Sequence, residues 1–295
     1  MPEVSVIVTT YNRKEFLTET LNSVLDQTYA DFELIVVDNY SNYDFLSHIS
    51  SFNDKRIRPF QNQNSGIIAV NRNFGIKQAN GKYLAFCDAD DIWKKDKLKY
   101  QINIFEENQN CVLISTLTKS IGEHCKFNMV NYGIINLRQV LIKKLINYSN
   151  PIVFSSAMIK KQDILTVGGF NEEHYNIGVE DIILWNKLSQ LGNFVLIKKI
   201  LTYYRFQKTN VSKGNKNQIL YNKKYYNHKK YLSSKTHFYK FYNYIKILIS
   251  SLIHLFFIKY FNSKKTYWFL KTNAKTGIIN YRLLEINSKI QEKQE

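Results

Sequence analysis

Tyr83-Leu-Ala-Phe-Cys-Asp88-Ala-Asp90-Asp91-Ile-Trp93 is the most informative segment of the chain. An apolar run from Leu84 to Cys87 stops abruptly at three carboxylates within four residues. Gly81 bounds the run on one side and acids bound it on the other, which is the pattern of a short buried strand. Its carboxyl end then presents Asp88, Asp90 and Asp91 together. Carboxylates this close repel one another, and a shared hard divalent cation relieves the repulsion. Ligands of open α/β sheets sit outside the carboxyl ends of strands. The stretch therefore reads as a metal site at a strand end, poised for a phosphate ligand. A plainer reading stands beside it, in which Asp91 or Asp96 caps a helix that begins near Lys94.

Outward from this strand, helical and strand patterns alternate. Val4-Ser-Val-Ile-Val-Thr-Thr10 is β-branched almost throughout and predicts a buried parallel strand. Residues 15–27 carry apolar side chains at Phe16, Leu17, Leu21, Val24 and Leu25, a helical spacing. Phe32-Glu-Leu-Ile-Val-Val37 is a second buried strand ending in Asp38-Asn39. A short helix is expected over 44–52, an edge strand over 56–60 and a helix after Asn64-Ser65-Gly66. Asn80-Gly81 closes that helix, where glycine suits a left-handed cap. A helix over 96–107 and a strand over 111–116 complete an α/β half with a parallel sheet. Beyond it, strands are expected over 151–159 and 194–197, a strand or loop over 201–207, and a short helix over 161–167. An amphipathic helix passes through Leu184, Trp185 and Leu188, and Glu180 and Asp181 stand in its first turn, where the helix dipole favours acids.

Composition narrows the possibilities. The chain has 295 residues and a formal net charge of +17, from 41 Lys and Arg against 24 Asp and Glu. Three widely spaced cysteines, Cys87, Cys111 and Cys125, argue against a disulfide framework or a zinc site. Met1-Pro2-Glu3 leads straight into an apolar strand, so no secretory signal is expected. Neither a Walker A loop nor a Gly-x-Gly-x-x-Gly follows the first strand, so a nucleotide would be held by strand-end side chains and a metal. Between Asp181 and Glu285 the sequence has no acid and twenty Lys and Arg, an interaction surface for a polyanion. The same interval holds Ile245-Lys-Ile-Leu-Ile-Ser-Ser-Leu-Ile-His-Leu-Phe-Phe-Ile258, which is short for a span of about 20 apolar residues. It reads as a helix in the interface of an anionic membrane, or as a core helix of a small bundle. With no helix-turn-helix, zinc-finger or RNP-like motif, nucleic acid is not an expected partner.

Six pieces in order over roughly residues 3–212 resemble the inverting family 2 glycosyltransferases of the GT-A fold. They are Val4-Ser-Val-Ile-Val-Thr-Thr-Tyr-Asn-Arg13, Phe32-Glu-Leu-Ile-Val-Val-Asp-Asn-Tyr-Ser41, Asn71-Arg-Asn-Phe-Gly75, the Asp88 strand, Gly168-Gly-Phe170 with Glu180-Asp181, and Tyr204-Arg-Phe-Gln-Lys-Thr-Asn-Val-Ser212. The resemblance implies a mixed, mostly parallel central sheet flanked by helices, with a C-terminal helical extension. It divides the chain into a GT-A domain over 1–212 and a basic, membrane-associating region over 213–295. Within the first, 1–116 would bind the nucleotide-sugar and 117–212 the acceptor. By similarity, Asp90 holds Mn2+ or Mg2+, and Asp88 contacts the ribose or a metal-bound water. Thr9, Tyr11 and Arg13 line the base and ribose pocket, Asp38 lies where the base edge is read, and Arg72 faces the diphosphate. Asp181 is the general base, with Glu180 as the second choice. Two departures stand out. Asn39 replaces the usual second acid and Tyr40 the usual glycine, which leaves UDP favoured but less exclusive. Gln207 stands where the family often has histidine. The implied activity is inverting transfer of a sugar to a hydroxyl of a lipid-linked bacterial surface glycan, such as an O-antigen or capsule, at the cytoplasmic face of the cell membrane. A polyprenyl-phosphate sugar synthase and an inactive GT-A binding scaffold are the alternatives.

Overall fold

A computed structural model describes residues 1–122, 129–131, 150, 152–173, 178–206, 266–273 and 278–285. The expected apolar helix over 245–258, Cys125 and Gln207 lie outside these residues. The sheet is built around β1 (Val4–Thr10). It pairs in parallel with β2 (Phe32–Asp38) on one side and β4 (Tyr83–Asp88) on the other. β3 (Ile57–Gln61) continues beyond β2, also parallel. As the edge strand, β3 tolerates Pro59, which has no N–H to donate. The register aligns Thr10 with Asp38 and Thr9 with Asp88, so the carboxyl ends of β1, β2 and β4 finish at one level.

Every residue of β1 and β2 is buried because helices cover both faces. Side chains alternate across the strand, so Val4, Val6 and Val8 enter one core and Ile7 the other. The first core takes Leu17, Leu21 and Val24 of α1 (Lys14–Leu25), Phe45 and Ile49 of α2 (Phe45–Ser50), and Leu98, Ile102 and Phe105 of α4 (Lys97–Glu107). The second takes Ala69 and Ile76 of α3 (Ile68–Gln78), Ile164 of α5 (Lys161–Thr166), and Ile182, Leu184, Trp185 and Leu188 of α6 (Glu180–Leu188). Gly81 is required where β4 begins, since a Cβ there would lie 2.5 Å from the Ser5 backbone nitrogen.

The second half of the sheet turns antiparallel. β8 (Met158–Lys160) runs antiparallel between β4 and β6 (Cys111–Ile121). The expected strand over 151–159 is a 3-10 turn, Phe154–Ser156, followed by β8 alone. Ser155 and Ser156 turn the chain because their hydroxyls and carbonyls are taken by neighbouring elements, among them Asp91, Trp93 and Gln101. The two pieces expected over 194–207 are one bulged strand, β9 (Asn193–Arg205), parallel to β6. β9 curls over to pair with a two-residue strand absent from the sequence reading, β5 (Ile92–Trp93). β7 (Met129–Asn131) pairs with β6. The two described segments beyond residue 213 correct the expectation of a wholly helical extension. They are β10 (Thr266–Asn273) and β11 (Ile278–Glu285), an antiparallel pair that joins the sheet through β7. Thr, Tyr, Trp and Phe dominate β10, and these residue types fit a pleated surface better than a helix. Among the described residues no helix is long and apolar enough to cross a membrane.

Candidate active site

The site opens where β1, β2 and β4 end. Asp88 is the last residue of β4, and the next turn carries Asp90 and Asp91. The three acids part company at once. Asp91 is fully buried; it accepts hydrogen bonds from the Ser155 hydroxyl at 2.5 Å and from the Arg205 backbone N–H at 2.8 Å. Burial, with Asp88 and Asp90 adding like charge, pushes its carboxyl well above the usual range. It ties the end of β9 to the acidic turn and does not cap α4. Asp96 is the residue at that cap, and its side chain accepts from the Thr28 hydroxyl. Asp88 and Asp90 keep open faces, with side chains 29% and 14% exposed. Asp90 pairs with Arg13, and burial followed by the Asp88 charge raises its carboxyl pKa.

Arg72 crosses the site from α3. It is 4% exposed and donates to Asp88 at 3.1 Å and to Glu180 at 2.8 Å. Its guanidinium stands 3.6 Å from the centre of the Phe154 ring. Burial alone would weaken its charge, but Asp88, Glu180 and Asp181 outweigh that and hold it protonated. The rest of Asn71-Arg-Asn-Phe-Gly75 is equally committed to long-range contacts. Asn71 accepts from the Asn62 amide, and Asn73 clasps the backbone N–H and carbonyl of Phe170. A Cβ on Gly169 would fall 2.7 Å from the Asn73 side-chain oxygen, and its φ of +71° suits glycine. This clasp sets Phe170 against Phe154 and Phe86, in the aromatic wall that carries Arg72.

Glu180 and Asp181 start α6. Glu180 is buried, with one oxygen on Arg72 and the other accepting from the Gly178 N–H at 2.6 Å. Asp181 is half-buried and accepts from the Asn150 amide and its own helix at Ile182. Burial and the Glu180 carboxylate push its pKa up to about 7 against the pull of Arg72. A carboxylate that gains and loses a proton near neutrality suits general-base work. Its partner is too firmly held for the same task.

The base side of the site is less direct. Thr9, next to last in β1, has a buried hydroxyl with no hydrogen-bond partner among the described residues. Asp38 is fully buried, its oxygens taken by the Ser41 N–H and hydroxyl and by the Gln61 amide. Asn39 instead lines a cavity of about 380 Å³ with Tyr11, Tyr40, Gln63 and Ser65. So Arg72 bridges Asp88 and Glu180, Arg13 pairs with Asp90, and Asp90 and Asp181 feel the charges of that bridge, while Tyr11 and Asn39 form a second wall and Asp38 supports that wall from inside. Three participants carried no assigned role in the sequence reading. Ser155 joins the Asp88 N–H to Asp91, Asn150 holds Asp181, and Arg205 grips the Asp90 carbonyl and Glu19. The only signal for Ser155 was a polar pair interrupting an apolar run.

The model of the family described as glycosyl transferase family 2 matches residues 5–167, more than half of the chain. The chain belongs to that family. Its fold is GT-A. A putative teichuronic acid biosynthesis glycosyltransferase, TuaG of Bacillus subtilis, is 31% identical over 160 residues, covering 53% of this chain and 57% of that one. The Escherichia coli protein WfgD, named as a UDP-Glc:alpha-D-GlcNAc-diphosphoundecaprenol beta-1,3-glucosyltransferase, is 28% identical over 219 residues, covering 71% and 79%. An uncharacterised glycosyltransferase of Rickettsia felis is 43% identical over 127 residues, covering 42% of this chain, and the match spans only 21% of that longer protein. Staphylococcus aureus TarS 1-349 in complex with UDP-GlcNAc shares the fold at a TM-score of 0.60 and 23% identity, covering 72% of this chain and 61% of that one.

Proposed function

We propose that this family 2 glycosyltransferase inverts the anomeric centre as it moves a sugar from a nucleotide donor, UDP-linked by preference, to a hydroxyl of a growing lipid-linked bacterial glycan. The observation that carries the reading is the contrast at the start of α6, where Glu180 is locked to Arg72 and Asp181 stays partly open with a pKa of about 7. Asp181 takes the proton of the acceptor hydroxyl as its oxygen bonds to the anomeric carbon. The bond from that carbon to the diphosphate oxygen breaks on the opposite face, and the electron pair leaves with the nucleotide. One displacement of this kind inverts the centre and needs no covalent nucleophile.

Asp88 and Asp90 fit a divalent cation. Among the described residues no three His, Cys, Asp or Glu cluster as a closed cage. Two carboxylates completed by substrate phosphates are what Mg2+ or Mn2+ ordinarily takes. The raised pKa of Asp90, from burial and from Asp88, is the like-charge stress that such an ion relieves. A bound cation would act as a Lewis acid on the leaving diphosphate. The name of WfgD supports a UDP donor and a diphospholipid acceptor here. The basic interval after Asp181 supports a peripheral position on an anionic membrane, with residues 213–295 as the contacting region.

Thermal unfolding of the full chain with UDP, GDP, dTDP or CMP, each with and without manganese, tests the donor class. One nucleotide at 100 times its dissociation constant adds about 2.7 kcal/mol of stability. The shift is expected for UDP, to require the metal, and to vanish in Asp90→Ala. No shift with any nucleotide would sink the reading.

A further inference from the structure

We propose that Tyr40 is a specificity-determining residue of the donor site, packing the nucleobase against its own ring and that of Tyr11. The inference rests on the donor reading above and adds to it a contact that the usual glycine at this position cannot make.

Over residues 1–122, 152–173 and 178–206, Tyr11 and Tyr40 are the only exposed aromatic side chains, at 54% and 60%. Each follows the carboxyl end of a central strand, β1 and β2, and both line the same cavity. Every other aromatic side chain in those three stretches is buried or half-buried. Two large rings left open on adjacent loops, at the ligand end of a parallel sheet, call for a flat partner.

The loops that carry them are fixed to each other. The Asn12 N–H donates to the Ser41 hydroxyl, and the Asn42 N–H donates to the Asn12 side chain, both at 2.8 Å. The Asn64 N–H donates to the Asn39 side-chain oxygen at 2.8 Å. Of the four described non-glycine residues with positive φ, three lie in these loops: Asn12 at 50°, Tyr40 at 56° and Ser65 at 50°. A tyrosine resists the left-handed region, and such conformations gather where binding requires them. Tyr40 is thus held in a disfavoured backbone state with its ring outside the core, an arrangement that packing does not explain.

The chemistry around the rings completes the match. With its oxygen occupied by Asn64, the Asn39 amide is left to donate its N–H groups. That favours a base edge bearing a carbonyl, as uracil has. Base–aromatic stacking supplies affinity through any π-face, and the amide supplies the choice of base.

The test is calorimetric titration of UDP and of inorganic pyrophosphate, each with manganese, into the full chain and its Tyr40→Gly and Tyr40→Phe variants. Tyr40→Gly is expected to melt no lower than the parent, because glycine adopts this φ freely. It should bind UDP about ten-fold more weakly, with pyrophosphate affinity unchanged. Tyr40→Phe should bind UDP like the parent. Undiminished UDP binding by Tyr40→Gly would overturn the inference and leave the donor reading standing. A parent that binds none of UDP, GDP and dTDP would defeat the donor reading itself, and this inference with it.

Discussion

The acidic turn after β4 and the acid pair at the start of α6 are built on the same plan. In each, one carboxylate is buried and committed to architecture: Asp91 to Ser155 and the β9 backbone, Glu180 to Arg72 and Gly178. In each, a near neighbour keeps an open face, Asp88 with Asp90 in the first and Asp181 in the second. Arg72 joins the two groups through one guanidinium. Adjacent acids in a sequence therefore do not share a role. Burial and the supply of N–H donors sort them into those that hold the site and those that act in it.

Asp181→Asn separates the two kinds of acid most directly. It should lower the transfer rate by about 10²–10⁴-fold, the usual contribution of a general base, while UDP affinity measured by titration stays put. A variant that transfers at the parental rate would move the base elsewhere. Next in size is Arg72→Met. Removing one partner of a buried ion pair costs about 3–5 kcal/mol, because Asp88 and Glu180 would then face each other uncompensated. Urea unfolding should show the loss; an unchanged midpoint would mean that the two acid groups are not coupled through Arg72. Asp91→Ala should cost about 1–3 kcal/mol by orphaning the Ser155 hydroxyl and the Arg205 N–H, and Asp91→Asn less, since an amide oxygen still accepts.

The pH profile sharpens the other half of the comparison. Asp181 works as a base only when deprotonated, and its pKa is raised to about 7 by burial and Glu180. Transfer should rise with pH through a limb centred near 7, not near the ordinary carboxylate value of about 4. The smallest expected effect is the stability of Asp181→Asn. Burial and Glu180 raise the Asp181 pKa, so the ionised carboxylate costs stability and the neutral amide should leave the urea midpoint no lower than the parent's. A loss as large as that of Asp91→Ala would erase the distinction.

Periodicity and order carried much of this molecule. The β-branched runs at Val4 and Phe32 and the run ending at Asp88 set three parallel strands, because only a strand covered on both faces tolerates unbroken apolar sequence. The order of short motifs set the family and placed Asp88, Asp90, Arg72, Glu180 and Asp181 in one site. What the sequence could not show is which polar groups meet across long separations. Arg72 and Glu180 lie 108 residues apart, Asp91 and Arg205 114. Local spacing has no access to such pairs, so the bridge that buried Arg72 makes between Asp88 and Glu180 was not legible in the sequence. Lys97 shows the same limit. Its sequence neighbourhood is that of a solvated basic helix, but the fold buries it over the Trp93 ring with Gln101 as its acceptor, and burial lowers its pKa to about 7. Local composition determined the parallel strands β1, β2 and β4, the helices that cover them and the list of chemical groups. Tertiary packing alone decided which of those groups were desolvated and paired, because burial depends on neighbours that the chain brings together only on folding.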